Sequence, residues 1–250
     1  MTAEGIHLQG DSSNALTVYS HARVDGLSLD SRTFDFCRES IKIKQQWQAD
    51  KRGGTDIGFG ASVYNGAFVL SAYLESHPDL VKGKKLIELG SGPGLCSIVA
   101  VKAGAKKVLC TDGDPISVAL AQENIKANCS TKQVHRGVIT SKKLYWGNTE
   151  DLAESKTWLD GPIDVIIASD VVALPYKDAY DALLQTFDDL SDSHTEIFLC
   201  YQRRHKSETT FFTALQERFA VEEVDKEHMH PDFRNNPVTP MAIYRIHQAT

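Results

Sequence analysis

Between residues 84 and 104 the chain reads "KKLIELGSGPGLCSIVAVKAG": an apolar run of strand length, a turn with glycine at every second position, and an apolar run closed by Gly104. No other feature constrains the fold as much. A strand that feeds a helix through so short a turn is half of a crossover, and a crossover returns the chain to a parallel neighbour. The sequence then repeats the alternation. "KVLCT" (107–111) reads as a strand, "PISVALAQENIKAN" (115–128) as a helix opened by Pro115, and "DVIIAS" (164–169) as a strand. A helix around 178–190, the strand "EIFLCY" (196–201), a helix around 207–218, and strands near 219–224 and 241–246 complete the series. This order specifies an α/β fold, a parallel sheet with helices on both faces.

Ahead of that core, "ASVYNGAFVLSAYLES" (61–76) spaces Val63, Ala67, Leu70 and Leu74 as one helix face. Further upstream, "SLDSRTFDFCRESIKIKQQWQ" alternates like a β-hairpin, with Ile41 and Ile43 on one face and Lys42 and Lys44 on the other. It reads either as an edge element covering the core or as a docking surface. The expected organisation is a loose polar stretch over 1–15, a hairpin extension over 16–60 and the main domain over 61–250.

Composition narrows the class. No apolar run of 18 residues occurs, so no transmembrane helix is expected. The first residues, "MTAEGIHLQGDSSN", lack a basic start and an apolar stretch; the expected compartment is the cytoplasm, with the nucleus as a second location. The formal charge of −6 offers no surplus of positive charge for a phosphate backbone, so constitutive nucleic-acid binding is not expected. Cys37, Cys96, Cys110, Cys129 and Cys200 are widely spaced without a C-x-x-C pair and read as reduced core thiols. "EHMHPDF" gathers His228 and His230 near Glu227 and Asp232, but with no third cluster to match, no metal is expected. "RNNPVTP" reads as a loop.

Three ligands compete for the turn after the first core strand. A nucleoside triphosphate requires G-x-x-x-x-G-K-[ST], which is absent. A dinucleotide prefers G-x-G-x-x-G, but Leu95 stands where its third glycine belongs. The pattern from Glu88 through Gly90, Ser91 and Gly92 to Gly94 instead resembles motif I of the S-adenosylmethionine methyltransferases. Asp112 ends the next strand, where both carboxylate oxygens can accept from ribose hydroxyls, while Asp114 reads as the cap of the helix at Pro115.

Over residues 33 to 246 the chain resembles the seven-strand protein-lysine methyltransferases of the methyltransferase-like group, which modify heat-shock chaperones, valosin-containing protein and translation elongation factors. The resemblance rests on "FDFCRESIKIKQQW", "GASVYNGAFVLSAYL", "LYWGN", "ASDVVALPY" and "FLCYQRRHKSETTFFTALQERFAVEEV". It implies a Rossmann-like seven-strand sheet, mostly parallel with an antiparallel last strand. S-adenosylmethionine is the implied cofactor, and Tyr64, Glu88, Ala168 and Trp146 are the implied contacts beside the glycine turn and Asp112. Tyr64 and Asn65 replace the family's Trp-Asp or Trp-Pro pair, and Trp146 either meets the adenine or fills the core.

The resemblance also implies that Asp170 positions the substrate amine. The family pattern is D-x-x-Y or D-x-x-F; here Ala173 takes the third place, so either Tyr176 completes the pocket or the pocket is wide. Arg203 and Arg204 either meet an acidic protein substrate or are solvated surface charge. The expected activity is protein-lysine N-methylation by a monomer. The rivals are a methyltransferase for small molecules or nucleic acid, although the base-flipping N-P-P-Y signature is absent, and a cofactor-binding scaffold without turnover.

Overall fold

The computed structural model describes residues 26–47, 58–204, 206–234 and 240–248. The polar start over 1–15, residues 16–25 of the hairpin extension, and most of "RNNPVTP" lie outside the described residues. Strands β1 (Ser31–Phe36) and β2 (Glu39–Lys44) form the expected antiparallel hairpin, followed by helix α1 (Asn65–Ser76). The core continues as β3 (Lys85–Leu89), α2 (Leu95–Lys102), β4 (Lys107–Asp112), α3 (Pro115–Asn128), α4 (Thr131–His135), β5 (Ile139–Lys143), α5 (Thr149–Leu159) and β6 (Val165–Ser169). A 3₁₀ turn (Leu174–Ala179) leads into α6 (Tyr180–Leu190). Then come β7 (Glu196–Gln202), α7 (Thr209–Arg218), β8 (Phe219–Glu223), α8 (Pro231–Arg234) and β9 (Met241–Gln248).

The seven core strands lie in the order β5-β4-β3-β6-β7-β9-β8. Strands β3 to β7 pair in parallel, and β9 enters antiparallel between β7 and β8. The chain runs outward from β3 through β4 to β5, then returns to the other side of β3 as β6. That reversal opens a crevice at the carboxyl ends of β3 and β6, where open α/β sheets bind ligands. Apolar side chains pack on both faces of the sheet. Leu86, Val165, Ile167 and Phe198 meet α1 and α2, while Ile87, Leu89, Ile166 and Ile197 meet the opposite layer.

Helix ends follow local chemistry. Asp114 accepts from the Ile116 N–H at 3.0 Å and Pro115 opens α3, as expected. Helix α2 begins at Gly94, which has no side chain to cap with, and the buried Glu88 carboxylate accepts from the Ser97 N–H at 2.9 Å instead. Helix α1 begins at Asn65 rather than 61; Tyr64 is extended (φ −86°, ψ 164°) and Val63 belongs to the lead-in.

The elements α4, β5 and α5 escaped the sequence reading because their apolar content is low: β5 is "ITSKK" at the sheet edge, and α5 buries only Leu152, Ser155 and Leu159.

The hairpin is built into the core. Phe34, Phe36, Ile41 and Ile43 join one cluster with α1 and α2, and the rings of Phe36 and Phe68 lie 5.4 Å apart. Its open edge is sealed by two asparagines one helical turn apart on α3. Asn124 accepts from the Lys44 N–H and donates to its carbonyl, and Asn128 does the same for Lys42. Carboxamides carry both a donor and an acceptor, so they substitute for a neighbouring strand.

Four cysteines are buried, Cys37 is half-buried, and all five are free thiols. Among the described residues no helix is long and apolar enough to cross a membrane.

Candidate functional site

The crevice is a cavity of about 1050 Å³. Its floor is the turn after β3. Gly90, Gly92 and Gly94 all have positive φ (65°, 51° and 87°), a region that side chains enter only with strain. Close approach excludes side chains as well. A Cβ on Gly90 would lie 2.6 Å from Val171 Cγ1 and 3.4 Å from Trp146 Cζ2. A Cβ on Gly92 would lie 3.4 Å from the Gly60 carbonyl oxygen, so the segment before α1 closes over the turn. Ser91 also lines the cavity, and its N–H donates to Thr111 at 2.9 Å, tying the turn to β4.

Asp112 sits at the carboxyl end of β4 and lines the same cavity. It accepts from the N–H groups of Gly92 and Asp114, both at 3.0 Å. A carboxylate offers about four acceptor positions, so capacity remains for a diol. Burial raises its pKa, opposed by the N–H groups of Asp114 and Gly92. Trp146 is half-buried on the second core cluster and lines the cavity, so both readings of that residue describe part of its surroundings.

Two expected contacts are corrected. Glu88 and Ala168 do not line the cavity. Side chains alternate along a strand, and Glu88 falls on the face of β3 that Leu86 shares, against α1 and α2, while Ala168 packs into the opposite core. Burial lifts the Glu88 carboxyl to about 7, against the lowering effect of its bonds to Ser97 and Cys96.

The other end of the cavity is assembled from distant segments. Asp170 follows β6 with φ +55°, and its side chain is only 7% exposed. One carboxylate oxygen accepts from the Gly66 N–H at 2.7 Å, doing for α1 what Tyr64 does not. The other accepts from Arg204 Nη2, also at 2.7 Å. A Cβ on Gly66 would lie 2.5 Å from Asp170 Oδ2, so glycine is required for this approach. Tyr64 lines the cavity beside the pair, and burial, reinforced by the Asp170 charge and opposed by Arg204, pushes its hydroxyl up to about 12.

The Tyr176 side chain lies outside the described residues. Ala173 lines the cavity, leaving room where the family pattern has an aromatic ring. Arg204 is exposed, and its guanidinium is bonded to Asp170 at 2.7 Å and to the Gln202 carbonyl at 3.1 Å.

Gly60, Gly66, Val171 and Glu208 were missed by the sequence reading, and nothing in their local sequence marks them. Histidines 228 and 230 do not gather ligands. Their rings pack on His77 and Phe68, and among the described residues no group of three or more His, Cys, Asp or Glu is placed to hold a metal.

These features fit S-adenosylmethionine. The turn leaves backbone bare where Gly90 meets Val171, Asp112 keeps free acceptor capacity, and Trp146 offers an aromatic surface. Among solved structures, the chain is similar to the Thermus thermophilus 16S rRNA N2 G1207 methyltransferase (TM-score 0.58, 15% identity, 88% of this chain and 50% of that one), a likeness of fold alone.

Sequence relatives are nearer. Protein N-lysine methyltransferase METTL21A of Danio rerio is 33% identical, covering 79% of this chain and 83% of its own. Protein-lysine methyltransferase METTL21E of Mus musculus is 36% identical over 76% and 72%, and the mouse EEF1A lysine methyltransferase 3 is 30% identical over 77% and 75%. The profile described as "Lysine methyltransferase" matches residues 41–218, from the second hairpin strand to the end of α7. A match that spans the glycine turn and both acids of the crevice leaves one conclusion: this chain belongs to the lysine methyltransferase family.

Proposed function

We propose that this chain transfers a methyl group from S-adenosylmethionine to the ε-amino group of a lysine in a protein of the chaperone or translation-factor type. One observation carries the reading: a single cavity is lined both by the bare turn with Asp112 and by Asp170. When bound, S-adenosylmethionine supplies an electrophilic methyl group on a sulfonium. The protein's contribution is placement. Holding nucleophile and electrophile in line at near-attack distance accounts for most of the available acceleration.

The lysine must arrive uncharged, against a reference pKa of about 10.4. Val63, Ala67, Val171 and Ala173 give the cavity apolar walls that disfavour the ammonium form. Asp170 accepts an amine N–H and aims the lone pair along the cavity.

The translation-factor class is supported by the mouse relative, EEF1A lysine methyltransferase 3. The net charge of −6 favours a protein substrate over nucleic acid. The same reading has the chain acting as a monomer. Purified protein given radiolabelled S-adenosylmethionine and cell lysate is expected to label protein, with the label recovered as methyl-lysine after hydrolysis. Label confined to RNA or small metabolites would overturn the substrate class.

A further inference from the structure

The pairing of Asp170 with Arg204 bears on a difficulty that any lysine methyltransferase meets. A carboxylate beside the substrate amine orients it, yet the same negative charge stabilises the ammonium, which has no lone pair to donate. We propose that Arg204 is a positioning residue that cancels the charge of Asp170, so that the carboxylate orients the substrate lysine without holding it in its protonated form. The inference rests on the function proposed above.

Three observations support it. First, the pair is close and its carboxylate is shielded: Nη2 to Oδ1 is 2.7 Å, with the carboxylate side chain 7% and the arginine side chain 34% exposed. At that distance and depth the two charges nearly cancel beyond the pair, whereas a solvated pair would be screened by water instead. Second, the arginine is held in place by the chain's own groups. Its Nη1 donates to the Gln202 carbonyl at 3.1 Å, and its backbone N–H donates to Glu208 at 3.0 Å. Third, Asp170 keeps acceptor capacity. One oxygen receives Gly66 and the other Arg204, which leaves lone pairs for an amine N–H.

Among the described residues, the surrounding groups do not supply the compensation. Tyr64 from the start of α1 and Cys200 from β7 are both held neutral by burial. Glu208, beyond β7, is negative when ionised and accepts from the Tyr201 hydroxyl and the Arg204 N–H. Asp178, on the turn after β6, is exposed, as is Arg203 at the end of β7. Arg204 is therefore the cation in direct contact with Asp170.

The test uses binding rather than turnover. The probe is a bisubstrate compound: an adenosine whose 5′ nitrogen carries both the amino-acid tail of the cofactor and an aminoalkyl arm ending in a primary amine. Calorimetry from pH 6 to 10 on the full chain reads the affinity of the arm against S-adenosylhomocysteine, which lacks it. In the wild type, affinity for the arm is expected to rise with pH from the pKa of the bound amine toward that of the free amine, and the lower bend, which marks the bound amine's pKa, is the midpoint compared between variants. In Arg204→Met, the unpaired carboxylate favours the ammonium, and the midpoint is expected to move up by about one to three pH units. Arg204→Lys, which keeps the charge, is expected to stay near the wild type. Asp170→Asn is expected to move the midpoint down, and the double variant Asp170→Asn/Arg204→Met to bring it back. That last pair tests the same cancellation even where Arg204→Met does not fold.

A midpoint unchanged in Arg204→Met, or unmoved between Asp170→Asn and the double variant, would overturn the proposal. So would an arm that adds no affinity in the wild type while S-adenosylhomocysteine binds. Failure of the wild type to bind S-adenosylhomocysteine at all is a different result: it overturns the functional reading on which the proposal stands.

Discussion

The two ends of the crevice each hold a carboxylate at a strand terminus, but they are built in different ways. Asp112 is held by backbone N–H groups alone, from Asp114 two residues away and from Gly92 20 residues away, within one strand-turn-helix-strand unit. Asp170 is held by Gly66, 104 residues away, and by Arg204, 34 residues away. The first arrangement is fixed by local backbone geometry, and the second depends on the tertiary fold and on a counter-charge. The cofactor end is therefore expected to tolerate changes that disable the substrate end, and the reverse.

The largest effect concerns what lies beneath the cofactor end. The Glu88 carboxyl is raised from 4.5 to about 7, so the folded state holds its proton more tightly than the unfolded chain does. The stability it contributes is fully present below about pH 4.5 and is lost as pH rises through about 7. Urea unfolding of the wild type relative to Glu88→Gln is expected to show a difference that falls by roughly 3 kcal/mol across that window. A flat difference would show that the backing of the turn does not titrate, and that part of the contrast would go.

Next in size is Gly66→Ala. Its Cβ would sit 2.5 Å from the Asp170 carboxylate and displace it. Turnover is expected to fall by about 100-fold, the scale of an ångström-level misplacement, while calorimetric affinity for S-adenosylhomocysteine holds. Equal losses in both would mean that the two ends are not separable.

Asp112→Ala is the converse. It removes a charge-assisted acceptor, and affinity for S-adenosylhomocysteine is expected to weaken by about 10- to 100-fold. Trp146→Leu is expected to have the smallest effect, about 3- to 10-fold on the same affinity, the scale of an aromatic contact beyond its area.

The same contrast explains what could be read in the sequence. The bare turn, the Asp114 cap and the hairpin alternation are each set within a few residues, and Asp112 ends the strand that follows the turn, so spacing and residue type reveal them. The position of Asp170 was legible through the family pattern, but its counter-ion was not, because nothing near Arg204 says which acid it will meet after folding. Glu88 misled for a different reason. An acid beside the glycine motif suggests ligand contact, whereas the alternation of β3 turns it inward to the amino end of α2. The polar β5 and α5 were invisible because one lies at the sheet edge and the other buries only three residues.

Asn124 and its twin on α3 place their third bond differently: Asn128 donates back to the Asn124 carbonyl at 2.8 Å, within the helix. Besides pairing with Lys44 of the hairpin, the Asn124 amide donates to the Pro93 carbonyl of the glycine turn at 2.9 Å. A single buried carboxamide thus fastens the amino-terminal ribbon to the loop that must stay shaped for the nucleoside. Shortening the protein to its Rossmann-like portion would release that tether, and the damage would register in cofactor retention before it registered in melting temperature.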